Sequence, residues 1–198
     1  MCGFAGFVGE VENREQVLEN MIDTIIHRGP DSSGKFVDED AALGFRRLSI
    51  IDLSESGDQP LYNEDRSKVL VFNGEIYNYQ ELREELIQAG HTFVSNTDSE
   101  TLIHGYEQWG EELVYRLRGM YAFAIWDQKA KRLFSARDIF GIKPLYYAQM
   151  NGTLMFGSEI KSFLEHPKFD KVFNEDALGN YLSFQFVPTN ETFFKGVF

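Results

Sequence analysis

Cysteine is almost missing from this chain: of 198 residues only Cys2 is one. A single thiol excludes any intramolecular disulfide and suits a reducing compartment, so a cytoplasmic location is expected. Positive charge is also scarce. Nineteen Lys and Arg against 31 Asp and Glu leave a formal net charge of -12, and phosphate binding needs a clustered positive field. Neither a nucleic acid nor an anionic membrane surface is therefore an expected partner. The four histidines, His27, His91, His104 and His166, stand apart, and no two have the spacing of a helix or loop metal motif. No metal is expected. Apolar runs long enough to span a bilayer are missing, and the opening MCGFAGFVGEVENRE has no basic n-region, so it does not read as a signal peptide. Internal repeats and low-complexity linkers are lacking too.

What remains is ample material for one ordinary domain: 43% hydrophobic residues, with 18 Phe and 9 Tyr scattered along the chain. Short segments rich in β-formers dominate. CGFAGFVG, LGFRRLSIID, KVLVFNG, MYAFAIWD, RLFSARD, PLYYA and TLMFGS are separated by turn residues. Asn151-Gly152 is a strong hairpin signal between the last two. Val17, Leu18, Met21, Ile22, Ile25 and Ile26 recur at helical spacing and stop at Arg28-Gly29-Pro30. Leu82, Leu86 and Ile87 mark a second helix, with Asn78 and Glu81 placed as a capping box. Leu102, Ile103 and Tyr106 mark a third, opened by Thr97 and Glu100 as another such box. Most strand connections are too short for parallel crossovers, which predicts antiparallel sheets covered by helices, an α+β domain. The end, FFKGVF, is apolar and has no polar tail, which reads as a cut through a longer protein.

Cys2 admits two readings. A lone cysteine is commonly a small buried hydrophobe on a strand. The chemical reading depends on removal of Met1. Cys2 would then carry a free α-amine of pKa about 7.7–8.0 beside a thiol near 8.5, and that amine could serve as general base without a histidine. If Met1 stayed in place, the same nitrogen would be a peptide amide with no basic lone pair. A Cys–His pair assembled in space remains open, although the local cysteine signature of papain-like enzymes is missing.

Four motifs follow Cys2-Gly3 in order: His27-Arg28-Gly29-Pro30-Asp31, Arg47-Leu48-Ser49-Ile50, Asn73-Gly74-Glu75-Ile76-Tyr77-Asn78 and Thr97-Asp98-Ser99-Glu100. Together they resemble the class II glutamine amidotransferases, a family of N-terminal-nucleophile hydrolases. GMYAFAIWD, RDIFGIKPLYY and FGSEIKSFL are similar to the corresponding domain of asparagine synthetases. The resemblance implies a four-layer αββα sandwich of two antiparallel sheets, spanning about residues 2–185. Residues from about 186 to 198 would begin a linker to a synthetase domain.

The resemblance also implies roles. Cys2 would be the nucleophile, and the Asn73 side chain with the Gly74 N–H would form the oxyanion hole. Arg47, with Leu48 and Ile50 of the same run, would hold the glutamine carboxylate side; a planar guanidinium suits a carboxylate. Glu75 and Asp98 would hold the substrate ammonium. Most have a plainer reading, Glu75 excepted. Arg46 is as good a cation as Arg47, Asn73-Gly74 could be a simple turn, and Asp98 could be an N-terminal helix acid. The run from His27 to Asp31 reads as structural. No cofactor is expected in this chain; ATP and Mg²⁺ would belong to the synthetase domain, and a homodimer is expected. The open alternatives are another class II amidotransferase, a stand-alone cysteine hydrolase on a different amide, and a catalytically silent scaffold.

Overall fold

The computed structural model describes residues 2–48 and 58–198. Met1 and residues 49–57, which include Ile50, lie outside the described residues. Two antiparallel sheets stack face to face. The first runs β2 (Ser32–Val37), β3 (Ala41–Arg47), β1 (Gly3–Val8), β9 (Thr153–Gly157), β8 (Tyr146–Met150). The second runs β4 (Leu61–Tyr62), β5 (Lys68–Ile76), β6 (Gly119–Asp127), β7 (Arg132–Arg137). Asn151 and Gly152, with φ of 50° and 76°, close the β8–β9 hairpin.

Strand alternation sorts the side chains into layers. Phe4 of β1, Ala41, Leu43 and Phe45 of β3, and Val69 and Val71 of β5 fill the space between the sheets. Ala5, Phe7 and Ala42 face the other way, against Leu18, Met21 and Ile22 of helix α1 (Arg14–Asp23). Leu70 and Phe72 of β5 face helices α2 (Tyr79–Gln88) and α3 (Asp98–Trp109), meeting Leu82, Leu102 and Ile103. The layers are therefore α1, sheet, sheet, α2 with α3, the αββα sandwich anticipated from the motifs.

Local details depart from the expectations. Neither capping box forms. Asn78 instead spans to the 116–118 segment, its Nδ2 donating to the Arg116 carbonyl at 3.0 Å and its Oδ1 accepting from the Arg118 N–H at 2.9 Å. Glu100 accepts from the Val94 and Ser95 N–H groups, each at 2.7 Å, and Thr97 makes no side-chain cap. In both cases a stronger tertiary or loop partner outcompetes the helix end. Ile26 and Ile87, counted among the helical apolar positions, are about half exposed. The short strands β2 and β4 and the helix α4 (Glu175–Phe184) went unforeseen; alternation in β2 is weak because Ser32, Ser33 and Gly34 are small or polar. Beyond α4 the chain returns to β8. Val197 is buried, and Phe198 exchanges backbone bonds of 2.9 Å with Tyr147.

Candidate active site

At the N-terminal end of β1, Cys2 continues the strand's alternation. It shares a face with Phe4 and packs, half-buried, against the apolar layer between the sheets. Its Sγ meets the backbone of Leu48, 3.4 Å from the N–H and 3.6 Å from the carbonyl oxygen. Gly3 pairs with Arg46, so the end of β3 runs alongside this thiol.

The same alternation separates two adjacent arginines. Arg46 points to the α1 side, its Nε donating to the Ile22 carbonyl at 3.2 Å while the guanidinium pairs with Asp23. Arg47, 8% exposed, points to the inter-sheet side with Cys2 and donates Nη1 to Asp58 Oδ1 at 2.7 Å. Asp58 is about half exposed, so another carboxylate can exchange for it. The neighbouring Gln59 side chain spans to β5: its Nε2 donates to the Phe72 carbonyl at 3.1 Å, and its Oε1 accepts from the Phe72 N–H at 2.6 Å. Arg47 and the C-terminal part of β5 are thus tied to one short segment.

On β5, Asn73 follows Val69 and Val71 on the inter-sheet face. It is 3% exposed, and its Nδ2 has no hydrogen-bond partner among the described residues. Leaving a buried amide donor unpaired costs about 1–3 kcal/mol, a cost that an acceptor arriving there would remove. Gly74 stands opposite Tyr121, but the Tyr121 carbonyl is taken by the Asp138 N–H at 2.8 Å. The pair is non-hydrogen-bonded, and the Gly74 N–H points away from β6. Two residues to either side, the Phe72 and Ile76 N–H groups on that same edge go to Gln59 and to Asp98 Oδ2, the latter at 2.9 Å. A side chain at Gly74 would place its Cβ 2.3 Å from the Met120 carbonyl oxygen. The run is therefore a strand and not the plain turn that its dipeptide also allowed.

Asp98 opens α3 but serves β5 by that bond to Ile76. Burial pushes its carboxyl above the usual range, the Ile76 and Ser99 N–H groups pull it down, and the nearby Glu75 carboxylate pushes it up again. Glu75 is exposed at the rim. A cation arriving between the two acids would relieve their mutual repulsion.

Sequence reasoning missed how far the His27–Asp31 run reaches into the site. Arg28 Nε donates to the Cys2 carbonyl at 3.0 Å, and its Nη1 to Glu159 Oε1 at 3.0 Å. Gly29 lies so close to β3 that an added Cβ would sit 2.3 Å from the Arg46 carbonyl carbon. The motif was visible. Its contacts, with residues 26 and 131 positions away, were not. Asp58 and Gln59 carried no sequence signal.

Two stacked antiparallel sheets between helical layers, with Cys2 opening an inner strand, define the class of αββα sandwich proteins. Solved structures with this architecture include the glutamine phosphoribosylpyrophosphate amidotransferase of B. subtilis complexed with ADP and GMP. It superposes with a TM-score of 0.70 at 23% identity, covering 82% of this chain and 43% of that one. A structure described as the allosteric regulatory enzyme of purine biosynthesis gives 0.72 at 22% identity, covering 83% and 43%. At such identities the likeness speaks for the fold alone.

The chain belongs to the class II glutamine amidotransferases: the family model described as "Glutamine amidotransferase domain" matches residues 1–198. Curated relatives include asparagine synthetase [glutamine-hydrolyzing] 1 of Bacillus subtilis (strain 168), 48% identical over 97% of this chain and 31% of the relative. The asparagine synthetase [glutamine-hydrolyzing] of Zea mays is 44% identical over 82% of this chain and 28% of the relative. The chain thus spans about a third of the length of the curated relatives it matches.

Proposed function

We propose that this domain hydrolyses glutamine to glutamate and ammonia through a γ-glutamyl thioester on Cys2. The observation that carries the reading is the buried Asn73 Nδ2, unpartnered among the described residues, facing from the second sheet the same inter-sheet layer as Cys2 and Arg47 on the first. In this mechanism the α-amine of Cys2, exposed by removal of Met1, takes the thiol proton. The sulfur attacks the carboxamide carbon, and the oxyanion accepts from Asn73 Nδ2 and the Gly74 N–H. The amine returns its proton to the departing nitrogen, ammonia leaves, and the thioester remains. Water then attacks with the amine again as base, releasing glutamate and the free thiol. Arg47 holds the substrate carboxylate beside Leu48, while Asp98 and Glu75 hold its ammonium.

The ammonia is consumed, on this proposal, by a C-terminal synthetase domain that converts aspartate to asparagine with ATP and Mg²⁺ in the cytoplasm. No residue of this chain is assigned to either cofactor. The lengths of the relatives support a further domain, and so does an apolar surface. Ile139 and Phe140 are 92% and 86% exposed, on a loop held by Asp138, which accepts from the Phe140, Ile142 and Lys143 N–H groups.

The test is Cys2→Ala in protein shown by intact mass to lack Met1. Glutamate release should fall at least about a thousand-fold with an unchanged circular-dichroism spectrum. Retained turnover in the folded variant would remove Cys2 as nucleophile, and a wild-type protein without glutaminase activity would favour a silent scaffold.

A further inference from the structure

We propose that Glu64, His91, His104 and Glu107 bind one zinc-class divalent cation on the helix-covered side of the second sheet, outside the glutaminase site. Linear spacing hides the cluster. Glu64 lies between β4 and β5, His91 follows α2, and His104 and Glu107 share a face of α3. The fold brings the two imidazole rings to 5.2 Å between centroids.

Donor chemistry and spacing both fit. Two imidazoles with two carboxylates suit zinc better than the all-oxygen sets of calcium or magnesium. One ligand atom from each of the four residues lies within 4.8 Å of every other. The separations are 3.3 Å from His104 Nδ1 to Glu107 Oε2, 3.6 Å from His104 Nδ1 to Glu64 Oε1, and 3.9 Å from His91 Nδ1 to Glu107 Oε2. A tetrahedral ion with bonds of about 2.0–2.2 Å has ligand–ligand edges of roughly 3.3–3.6 Å. Two of the three separations already match such an edge, and side-chain rotation would bring the remaining donors, all within 4.8 Å, into the shell.

The surrounding groups are those that metal ligands use for orientation. His104 Nε2 faces Glu100 Oε1 at 3.5 Å, and His91 Nε2 faces Gln108 Oε1 at 3.2 Å. Both rings can therefore present Nδ1 inward while Nε2–H is held outside. Glu107 Oε1 accepts from Asn63 Nδ2 at 2.8 Å, leaving Oε2 for the ion. Glu100 is fixed in turn by its bonds to Val94 and Ser95. Charge agrees as well: the ion pairs of Glu64, Glu100 and Glu107 among the described residues are with Lys68, 3.8 Å from Glu107, and with the His91 and His104 rings. With His104 neutral, that set carries two surplus negative charges for a divalent ion. The competing occupant is a proton on His104, which Glu100 and Glu107 stabilise. An ion binding there must expel it.

The site would join the loop entering β5, the end of α2 and the middle of α3. Those elements carry Asn73 and Asp98, so the ion would brace the strand and helix that support the active site.

The experiment uses tag-free protein stripped with chelator and titrated with ZnCl₂ by calorimetry, with elemental analysis of the reloaded sample and Co²⁺ absorption as a probe of tetrahedral geometry. We expect one zinc per chain, retained in Cys2→Ala. Affinity should fall at least about 100-fold in His91→Ala and in Glu64→Gln, and about ten-fold in Gln108→Ala, which touches only the outer shell. Glu64 is an exposed loop residue, so its variant tests the site without a folding defect. Absence of saturable binding, binding that survives both His91→Ala and Glu64→Gln, or binding that disappears only with Cys2 would overturn the proposal.

Discussion

Arg46 and Arg47 carry identical chemistry at adjacent positions, yet the two-residue period of β3 sends one to α1 and the other to the layer that holds Cys2. Their substitutions should therefore separate. Arg47→Ala removes a ground-state contact to the substrate carboxylate, so KM should rise with kcat little changed. Asn73→Ala removes a donor used as charge develops on the carbonyl oxygen. Both kcat and kcat/KM should fall about 10²–10³-fold. Arg46→Ala should leave both constants near wild type. Steady-state glutamate release on the three variants checks this. A pure KM effect at Asn73 would refute its oxyanion role.

At the scale of elements, the turn from Arg28 to Pro30 matters more than its length suggests. Asp31 N–H donates to the Arg47 carbonyl at 3.1 Å, Gly29 presses on the backbone of Arg46, and Arg28 reaches the Cys2 carbonyl. Gly29→Ala would force a Cβ against main-chain atoms that cannot rotate away. Denaturant unfolding should show a loss of about 1–3 kcal/mol. Glutaminase activity should fall beyond what that loss explains, because Arg28 and the end of β3 move together. A variant with normal activity and stability would show that the turn does not position the site. The unformed capping boxes belong to this scale too. Asn78 and Glu100 sit at capping spacing, but Asn78 bonds the Arg116 carbonyl and the Arg118 N–H, and Glu100 the Val94 and Ser95 N–H groups, in place of their helix ends.

The whole molecule carries a pH dependence that involves no catalytic group. His166 is 2% exposed, packs edge-on to Phe7 with ring centroids 4.8 Å apart, and accepts the Lys168 N–H at Nδ1. Burial, with a smaller contribution from Lys168, pushes its pKa down to about 4. The folded state therefore holds a neutral ring, while the unfolded chain takes up a proton near pH 6.5. Stability is whole above about 6.5, declines as pH falls, and stops declining through this group below about 4. The full gap is worth at most ~3 kcal/mol. Thermal unfolding of His166→Gln across that window should show a shallower slope than wild type. Equal slopes would assign the acid sensitivity elsewhere.

Strand-rich composition, short turns and ordered motifs were enough to read an α+β domain of two antiparallel sheets, because hydrophobic period and turn chemistry are local properties of the chain. The candidate residues Cys2, Arg47, Leu48, Asn73, Gly74, Glu75 and Asp98 were legible for the same reason: they lie in short runs whose neighbours identify them. Only the folded chain showed where Arg46 and Arg47 each point, turned the Gly74 N–H away from β6, set Arg28 on Cys2, and drew Asp58 and Gln59 in from a segment without signal. It alone placed His91 beside His104. Those outcomes depend on sheet register and on contacts between residues far apart in sequence. Such contacts form only when the layers pack, so no window of neighbouring residues contains them.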